Sequence, residues 1–492
     1  MTKLCVALTE KTTDELLAAM HALDRRVDLV EVRLDCMAAY DLRRICSGKD
    51  RPIIVTNRPV RQGGLFSGSE RRRVAALAKA AALGADHVDV ELDAVHLLGQ
   101  LPAGCARIVS HHDVEGTPDD LESLFRRIRA AGADVTKIVT TARDVADVGP
   151  VLALLQRHAA RTPLIALSMG EEGLASRVLA TKFGAYLTFA SRTSGRESAP
   201  GQVPYGQMLD LYRLDRIGAD TAVYGVVANP VAHSMSPTVQ NAAFAAAGLD
   251  AVYLPFKVRN PATFLEAFEP YDLRGLSVTL PHKEAMLPLM DELDELAAGI
   301  GAVNTVAIRD GRCYGYNTDV GAAVKAITGA ARRAGLLPLA RRTVLIVGAG
   351  GAARAIAYGL RDTAGRVVIA NRTVARAEAL ARELGLEACG LDDMPACKPD
   401  VLVNTTSVGM WPRVEESLVP TSMLRRGMVV FDAVYNPLRT RLLREAEEAG
   451  GVTASGLEWF VNQAVAQFEL WTGQDARREV LENVVRSRLA GG

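Results

Sequence analysis

The chain has 492 residues, of which 49% are hydrophobic and 23% charged, and its formal net charge is zero. This composition is typical of a globular protein, and the length predicts two or three domains. The balanced charge, without a long basic run, argues against nucleic acid as a partner. No apolar run approaches the roughly 20 residues of a membrane span, so we expect no membrane-spanning segment.

The cysteines and the N-terminal segment bear on the compartment. The seven cysteines form no CxxC pair and show no metal-ligand spacing, so we expect no metal site. An odd, scattered set of thiols suits a reducing environment, and the first residues lack the apolar core of a signal peptide. We therefore expect a cytoplasmic protein, whose oligomeric state nothing in the sequence indicates.

The first half of the chain alternates apolar runs with amphipathic stretches. Eight runs have the composition of strands: LCVAL, LVEVRL, IIVTNR, HVDVEL, RIVSHH, VTKIVTT, LIALSM and YLTFAS. Helical patterns between them include Glu70–Leu83, Pro118–Ala131 and Asp144–His158. Eight strands in strict alternation with helices predict an α/β fold of the (β/α)8, or TIM, barrel type, which we assign to residues 1–218.

Polar side chains stand at the C-terminal ends of these strands, which converge on the mouth of a barrel, where active sites lie. Lys137 interrupts an apolar strand; burial lowers the pKa of a lysine, and the neutral amine attacks ketones. His112, on the preceding strand, suits proton abstraction beside an iminium. A structural lysine paired with Glu31 or Glu91 is equally compatible with these residues. Three arginines would make the mouth cationic, which fits a carboxylate substrate: Arg33, Arg58 and Arg177.

The segment 206–220 is polar and helix-like and is expected to end the barrel, because the strand pattern restarts at residue 222. We assign a small α/β domain to residues 222–338, completed by C-terminal helices at 456–490. A dinucleotide-binding (Rossmann) domain is assigned to residues 339–455. The two halves have different patterns, which indicates a fusion and not a duplication.

The stretch TVLIVGAGGAARAIAYGL (343–360) carries a strand, a glycine turn and a helix in the order that a dinucleotide site needs. The turn residues expected to hold the cofactor are Gly348, Ala349, Gly350, Gly351 and Ala352. A second strand ends at Asn371, Arg372 and Thr373, where an NAD site would usually carry Asp or Glu. A guanidinium can instead pair with a 2′-phosphate, so the site is expected to prefer NADP(H).

Four segments precede this domain: HSMSP (233–237), SVTLPHK (277–283), GAVNTV (301–306) and YNTD (316–319). Their polar side chains suit a compact polyhydroxylated acid: Ser234, Ser236, Thr279, Lys283, Asn304 and Asp319. Lys283 and Asp319 could hold each other's charge and move a proton during carbonyl reduction. Taken singly, each is more often a solvated loop residue or a helix cap.

Together, these segments and the glycine turn resemble shikimate dehydrogenase, over residues 222 to about 489. That family reduces 3-dehydroshikimate to shikimate with NADPH. The resemblance implies that Lys283 and Asp319 are catalytic and that Ser234 and Ser236 bind the substrate carboxylate. Ring hydroxyls and the substrate pocket would be contacted by Thr279, Asn304, Gln463 and Tyr435. The 2′-phosphate would be bound by Arg372 and Thr373, and Met410 would lie near the nicotinamide, although core packing explains Met410 nearly as well.

The first half resembles type I 3-dehydroquinate dehydratase, over residues 1 to about 215. The motifs that carry this resemblance are EVRLD (31–35), TNRP (56–59), VELD (90–93), SHHD (110–113), ADVTK (133–137), SMGEEGLASR (168–177) and ESAPGQ (197–202). It implies that Lys137 forms an iminium with the substrate ketone and that His112 moves the protons. The implied substrate-binding residues are Glu31, Arg33, Arg58, Arg177, Ser198 and Gln202. Residues 198–202 would close over the substrate, with Gly195 and Gly201 allowing the motion.

One position departs from the second family. A glutamate usually precedes two glycines after the third strand, whereas this chain has Gln62, Gly63 and Gly64. Gln62 can accept a hydrogen bond but carries no charge to stabilise a histidinium. We therefore expect a slower dehydratase in which the pKa of His112 is lowered.

The two resemblances imply one bifunctional enzyme, because the barrel would make the ketone that the second half reduces. Its partners would be the small molecules 3-dehydroquinate, 3-dehydroshikimate and shikimate. The plant enzymes of this pathway share this domain order. Two alternatives stay open: the second half prefers quinate, or the barrel only binds ligands and the dehydrogenase is the sole enzyme.

Overall fold

A computed structural model describes residues 2–232 and 234–490 of the chain. Its internal contacts define two compact units. The first comprises Met1–Ser234 and Asp250–Leu273, and the second comprises Met235–Leu249 and Arg274–Gly492. None of the helices described combines the length and the hydropathy that a bilayer span requires.

The first unit contains an eight-stranded parallel barrel, as the alternating pattern predicts. Its strands are β1 (Lys3–Leu8), β2 (Leu29–Arg33), β3 (Ile53–Thr56), β4 (His87–Glu91), β5 (Ala106–His112), β6 (Val135–Thr141), β7 (Leu164–Met169) and β8 (Leu187–Ser191). They pair in parallel in the order β7-β6-β5-β4-β3-β2-β1-β8. Where β7 meets β8, the N–H of Tyr186 donates to the carbonyl of Leu164 at 2.8 Å. The barrel is therefore nearly closed.

Helices connect the strands of the barrel. They are α1 (Thr13–His21), α2 (Leu42–Ser47), α3 (Glu70–Ala82), α4 (Leu121–Ala130), α5 (Val148–His158) and α6 (Leu174–Leu179). Helix α4 begins three residues later than the pattern predicts, because the side chain of Asp120 caps it by accepting the N–H of Ser123 at 2.8 Å. A 3₁₀ turn over Val145–Asp147 likewise precedes α5. The expected helical segment 206–220 forms only two short turns, since Arg213 between them adopts φ +51°.

The described residues of the second half of the chain add twelve strands and nine helices. The strands are β9 (Ala222–Ala228), β10 (Ala251–Lys257), β11 (Leu273–Val278), β12 (Glu292–Leu293), β13 (Thr305–Arg309), β14 (Arg312–Tyr316), β15 (Thr343–Val347), β16 (Arg366–Ala370), β17 (Glu387–Cys389), β18 (Val401–Asn404), β19 (Val429–Asp432) and β20 (Val452–Ser455). The helices are α7 (Ser236–Ala247), α8 (Pro261–Phe268), α9 (Glu295–Ile300), α10 (Thr318–Arg333), α11 (Gly351–Leu360), α12 (Val374–Leu384), α13 (Arg441–Glu448), α14 (Gly456–Thr472) and α15 (Arg478–Ala490).

A six-stranded parallel sheet dominates the second unit, in the order β17-β16-β15-β18-β19-β20. This is the strand order of the doubly wound dinucleotide-binding fold. Alternate residues of β15 enter two separate cores: Val344 and Ile346 pack in one, Leu345 and Val347 in the other. The sheet is therefore covered on both faces, which explains the continuous apolar run in the sequence.

Smaller sheet segments complete the two units. In the first, β9 and β10 pair in parallel. In the second, β13 pairs antiparallel with both β11 and β14. The C-terminal helix α14 packs on α7 and α10: the side-chain amide of Gln240 donates to the carbonyl of Ala464 at 3.1 Å, and that of Asn462 to the carbonyl of Ala322 at 3.0 Å.

Candidate functional site

The mouth of the barrel encloses a cavity of about 300 Å³. All the barrel residues that the sequence singles out for the site line it: Glu31, Arg33, Arg58, His112, Lys137, Arg177, Ser198 and Gln202. Gln62, Met169 and Phe189 line it as well. The register explains this convergence, since neighbouring strands are parallel and bring their C-terminal ends to one rim.

Lys137 is buried and forms its closest ion pair with Asp89, a residue that sequence reasoning missed. Its Nζ lies 2.8 Å from Oδ2 of Asp89 and 3.5 Å from Oε1 of Glu31. A usable signal existed, because Asp89 and Glu91 alternate with valines in β4 and so share a face. Glu91 is not the partner of the lysine, since it pairs with Arg58 at 2.5 Å.

The charges around Lys137 form a connected network. Arg58 donates to Oδ2 of Asp89 at 2.7 Å and to Oγ of Ser110 at 2.8 Å, and that hydroxyl donates to Oδ1 of Asp89 at 2.5 Å. Burial alone would raise the pKa of Asp89, but the charges of Arg58 and Lys137 outweigh it and hold that pKa well below its usual range. Asp89 is therefore a permanent anion beside the lysine nitrogen.

His112 is kept neutral by its surroundings. Removal of the ring from water, followed by the positive charges of Arg58 and Lys137, holds the pKa of His112 well below its usual value. Its Nδ1 is buried without a hydrogen-bond partner among the described residues. Oε1 of Gln62 accepts the backbone N–H of His112 at 3.0 Å, so Gln62 holds the backbone of the histidine and not its ring.

Arg177 differs from the other two arginines of the cavity. Arg33 is paired with Asp35 at 2.7 Å, and Arg58 with two carboxylates. Arg177 is fully buried, yet it has no carboxylate partner among the described residues, and burial lowers its pKa to about 10. It donates only to the carbonyl of Pro200, at 3.3 Å, and its Nε has no described partner. A buried, unpaired guanidinium is a strong site for an anionic ligand.

Residues 198–202 cover one side of the cavity. Oε1 of Gln202 accepts hydrogen bonds from the N–H of Ser198 at 2.9 Å and from its hydroxyl at 3.3 Å. Nε2 of Gln202 lies 3.1 Å from the same hydroxyl. The N–H of Gly170 donates to the carbonyl of Pro200 at 3.1 Å. Gly201 has φ +74° and faces the carbonyl of Gly170 so closely that a side chain would collide with it. The segment is thus fitted to the turn that follows β7.

In the second unit, the expected acid–base pair is in contact. Nζ of Lys283 lies 2.6 Å from Oδ2 of Asp319, and both side chains are partly exposed. Lys283 lies in the loop after β11, where its carbonyl accepts the N–H of Val303 at 2.9 Å. Asp319 lies in the first turn of α10, and its carbonyl accepts the indole N–H of Trp459 at 2.9 Å.

Asn304 is buried and bonds Thr318, the residue that precedes Asp319. Its Oδ1 accepts the N–H of Thr318 at 2.7 Å and the hydroxyl of Thr305 at 2.8 Å, while its Nδ2 donates to Oγ1 of Thr318 at 3.0 Å. Gln467, which the sequence did not single out, donates to Thr305 at 3.0 Å. These bonds fix the start of α10, one residue before Asp319.

The remaining predicted substrate residues are spread over both units. Tyr435 stacks on Phe460 of α14 with ring centroids 5.4 Å apart, and Gln463 follows one turn later on that helix. Thr279 lies four residues before Lys283 and is partly buried. Ser236 begins α7 in the second unit, whereas Ser234 follows β9 in the first.

The glycine turn lies at the end of β15, beside the ends of β16 and β18. The N–H of Gly348 donates to the carbonyl of Ala370 at 2.8 Å, and the N–H of Thr405 donates to the carbonyl of Val347 at 2.9 Å. Gly348 has φ +117°, and any side chain there would collide with Thr405. Beyond it, Gly350 and Gly351 face open space at the N-terminus of α11, so a phosphate could approach the backbone.

The loops around this turn carry the other predicted cofactor residues. Arg372 is exposed and forms no ion pair with any residue that the structure describes. Nδ2 of Asn371 donates to the carbonyl of Thr373 at 2.9 Å, which shapes the loop after β16. Met410, in the loop after β18, is 46% exposed, so it is not a core residue. With a free guanidinium and no carboxylate among residues 371–373, this edge fits NADP(H).

Models of known protein families match both halves of the chain. Four family models match successive segments: type I 3-dehydroquinase (residues 4–219), the shikimate dehydrogenase substrate binding domain (226–306), shikimate / quinate 5-dehydrogenase (330–435) and the shikimate 5'-dehydrogenase C-terminal domain (456–486).

Individual relatives show the same division. The bifunctional 3-dehydroquinate dehydratase/shikimate dehydrogenase, chloroplastic, of Arabidopsis thaliana is 44% identical over 97% of this chain and 83% of its own length. The shikimate dehydrogenase (NADP(+)) of Moorella thermoacetica is 42% identical over 56% of this chain and 96% of its own. A crystal structure of a shikimate dehydrogenase in complex with NADP+ is 38% identical, with a TM-score of 0.52, over 56% of this chain and 97% of its own. The chain therefore belongs to the family of bifunctional 3-dehydroquinate dehydratase/shikimate dehydrogenases.

Proposed function

We propose that this chain dehydrates 3-dehydroquinate to 3-dehydroshikimate in the barrel and reduces 3-dehydroshikimate to shikimate with NADPH in the second unit. The observation that carries the proposal is the barrel cavity, which is lined by a lysine, a neutral histidine and a buried arginine that has no carboxylate partner among the described residues. A ketone-bearing carboxylate is the ligand that uses all three groups.

Arg177 binds the carboxylate of 3-dehydroquinate, because it is the cavity arginine without a carboxylate partner among the described residues. Arg33 and Arg58, whose charges are already balanced, donate to hydroxyls, as do Ser198 and Gln202. Glu31 accepts a hydrogen bond from a substrate hydroxyl near Lys137. These contacts orient the ketone carbon toward the lysine nitrogen and exclude water from the cavity.

The covalent steps use Lys137 and His112. The amine nitrogen adds to the ketone carbon, water leaves, and an iminium forms; its positive charge remains on the nitrogen that Asp89 already contacts. Neutral His112 removes the proton from the carbon next to the iminium, and the electron pair forms an enamine. The enamine expels the β-hydroxyl, which takes the proton back from His112 as it leaves. Water then hydrolyses the iminium of 3-dehydroshikimate.

NADPH supplies a hydride to the ketone carbon when it is bound at the glycine turn. The backbone from Gly348 to Ala352 would hold the pyrophosphate, Asn371, Arg372 and Thr373 would hold the 2′-phosphate, and Met410 would contact the nicotinamide. Lys283 donates a proton to the carbonyl oxygen as it becomes a hydroxyl. Asp319, 2.6 Å away, keeps the lysine oriented and takes part in its reprotonation.

The substrate of the second unit is held by hydroxyl and amide groups. Ser236 binds its carboxylate, and Tyr435 lines the pocket. Thr279, Asn304 and Gln463 bond its ring hydroxyls. For Asn304 one amide hydrogen remains for this purpose, because its Nδ2 already donates the other to Thr318 and its oxygen accepts from Thr318 and Thr305.

We further infer a reducing compartment, which the cytoplasm provides, since all seven cysteines are free thiols.

Iminium trapping tests the barrel chemistry. Borohydride added with 3-dehydroquinate should reduce the iminium and leave one ligand-derived mass on the peptide that carries Lys137. Lys137→Met should abolish this mass, while Lys182→Met, at a lysine outside the cavity, should retain it. Absence of the mass in the unmodified protein would contradict the Schiff-base proposal and leave the barrel as a binding domain.

A further inference from the structure

A lysine from beyond the barrel contacts the turn that supports the edge of the barrel cavity. Lys257 ends β10, in the segment matched by the shikimate dehydrogenase substrate binding domain. Its Nζ lies 2.8 Å from Oε2 of Glu171 and 3.0 Å from Oε1 of Glu172. Both glutamates lie in the turn between β7 and α6, and the side chain of Glu172 is only 11% exposed.

The position of Lys257 is fixed by a packed seam within the first unit. The hydroxyl of Tyr271 donates to the carbonyl of Gly149 in α5 at 2.6 Å and is buried. Tyr271 also packs edge-on against Phe183, with centroids 5.5 Å apart. Gly149 approaches α8 so closely that an added Cβ would lie 3.3 Å from the carbonyl of Ala267. Segment 250–273 is therefore seated on the barrel helices and presents Lys257 in a defined place.

The turn that Lys257 contacts is joined to the cavity edge by backbone contacts. Gly170, next to Glu171, donates to the carbonyl of Pro200 at 3.1 Å, and its own carbonyl is in close contact with Gly201. The carbonyl of Pro200 also accepts from Arg177 at 3.3 Å. The turn thus contacts the covering segment 198–202 directly, and through Pro200 it is joined to Arg177.

The turn carries two adjacent carboxylates, and Lys257 is the cation that contacts both of them. Glu171 and Glu172 are adjacent carboxylates, and without a cation between them they would repel each other. Lys257 neutralises part of this repulsion, and its bonds to both glutamates raise its own pKa. Lys257 does not line the cavity, so it acts through the turn and not on the substrate.

We propose that Lys257 is a positioning residue for the dehydratase: it holds the turn 170–173 in the form that seats residues 198–202 over the cavity. The proposal rests on the dehydratase function given above. Under this proposal, a segment of the dehydrogenase part of the chain contributes to substrate binding by the barrel.

The test uses three variants of the full-length chain. Lys257→Ala removes the cation, Lys257→Arg retains it, and Arg259→Ala removes a nearby exposed cation that forms no ion pair among the described residues. Dehydratase and dehydrogenase kinetics are measured for each. Trypsin cleavage after Arg196, an exposed residue preceding the covering segment, reports its opening without substrate.

For Lys257→Ala we expect KM for 3-dehydroquinate to rise about fivefold with a smaller change in kcat, and cleavage after Arg196 to accelerate by a similar factor. Lys257→Arg and Arg259→Ala should resemble the unmodified protein, and dehydrogenase kinetics should not change in any variant.

Unchanged KM and unchanged cleavage in Lys257→Ala would overturn the proposal. A parallel loss of both activities and of thermal stability would also overturn it, because it would show a general structural role. If the unmodified chain lacks dehydratase activity, the proposed function fails, but the cleavage rates, measured without substrate, still decide whether Lys257 positions the segment.

Discussion

Asp89 holds Nζ of Lys137 at 2.8 Å inside the barrel, and both side chains are almost completely buried. The same carboxylate accepts hydrogen bonds from Arg58 and Ser110. It therefore contacts two buried cations, and it lies where the positive charge of an iminium would remain. This relationship gives Asp89 a direct part in the proposed chemistry.

Replacing Asp89 with asparagine should lower dehydratase kcat about 100-fold, because a charge-assisted contact to the iminium nitrogen is lost and two buried cations are left facing each other. Borohydride trapping at Lys137 should fall in parallel. Asp93→Asn, at an exposed carboxylate two residues beyond β4, serves as the matched control. A near-normal rate for Asp89→Asn would show that the ion pair is only structural.

Gln62→Glu should accelerate the dehydratase about threefold to tenfold at neutral pH, since a negative charge at residue 62, which contacts the backbone of His112, stabilises the histidinium that protonates the leaving hydroxyl. The pKa of His112 should rise from its lowered value. Because His112 must be neutral to remove the first proton, the acid limb of the pH–rate profile should move to higher pH.

Two further variants separate charge from geometry at this position. Gln62→Leu removes the acceptor of the His112 N–H and should slow the reaction, and Gln100→Glu adds the same charge at an exposed site and should change nothing. If neither the rate nor the pH profile responds to Gln62→Glu, residue 62 does not govern the histidine.

The barrel and the nucleotide fold were predictable from local patterns, because each rests on repeated strands and helices whose periodicity is visible in short windows. Five cavity residues followed from their places at strand ends: Glu31, Arg33, Arg58, His112 and Lys137. Arg177 was singled out for its charge, and Ser198 and Gln202 came from the family resemblance, because they lie outside the strands. Asp89 was missed because its contact depends on which face of β4 turns inward. The segment 206–220 was misjudged as a helix, since polarity alone does not reveal the backbone conformation of Arg213.

The contact of Gln62 with His112 shows a second limit of prediction from sequence. Its substitution was visible in the sequence, and the lowered pKa of His112 was expected from it. In the structure that pKa is lowered first by burial and then by Arg58 and Lys137, while Gln62 bonds the backbone of the histidine. Such causes depend on contacts between residues far apart in the chain, which no local pattern contains.

Arg372→Ala should raise KM for NADPH about 10-fold to 100-fold and leave KM for NADH within twofold, because only the 2′-phosphate loses a charge-assisted partner. Arg372 has no described ion pair, so its removal should not disturb the fold. Arg382→Ala, at the other end of α12, is the control. An unchanged ratio of the two KM values would remove Arg372 from the cofactor site.

The raised pKa of Asp432 predicts that the free energy of unfolding depends on pH. Burial raises its pKa from 3.8 to about 6, although Thr440, Val434 and Asn404 donate to it. A raised pKa stabilises the protonated folded form, so this contribution is complete below pH 3.8 and is lost as the pH rises through 6. At neutral pH the ionised carboxyl costs the fold about 3 kcal/mol.

Asp432→Asn, which keeps an acceptor for Val434 and Asn404, should therefore raise Tm at pH 8 and have little effect at pH 4, as measured by circular dichroism. Asp362→Asn, at an exposed carboxylate, should show no such pH-dependent difference. An equal Tm change for Asp432→Asn at both pH values would mean that Asp432 does not titrate in this range.

The central claim, two consecutive reactions in one chain, is tested most directly by a coupled assay on the purified protein. We expect 3-dehydroquinate alone to produce the enone absorbance of 3-dehydroshikimate, and NADPH added afterwards to be consumed as that absorbance falls. Absence of the enone, together with NADPH consumption when 3-dehydroshikimate is supplied directly, would contradict the claim and leave a working dehydrogenase joined to a barrel without dehydratase chemistry.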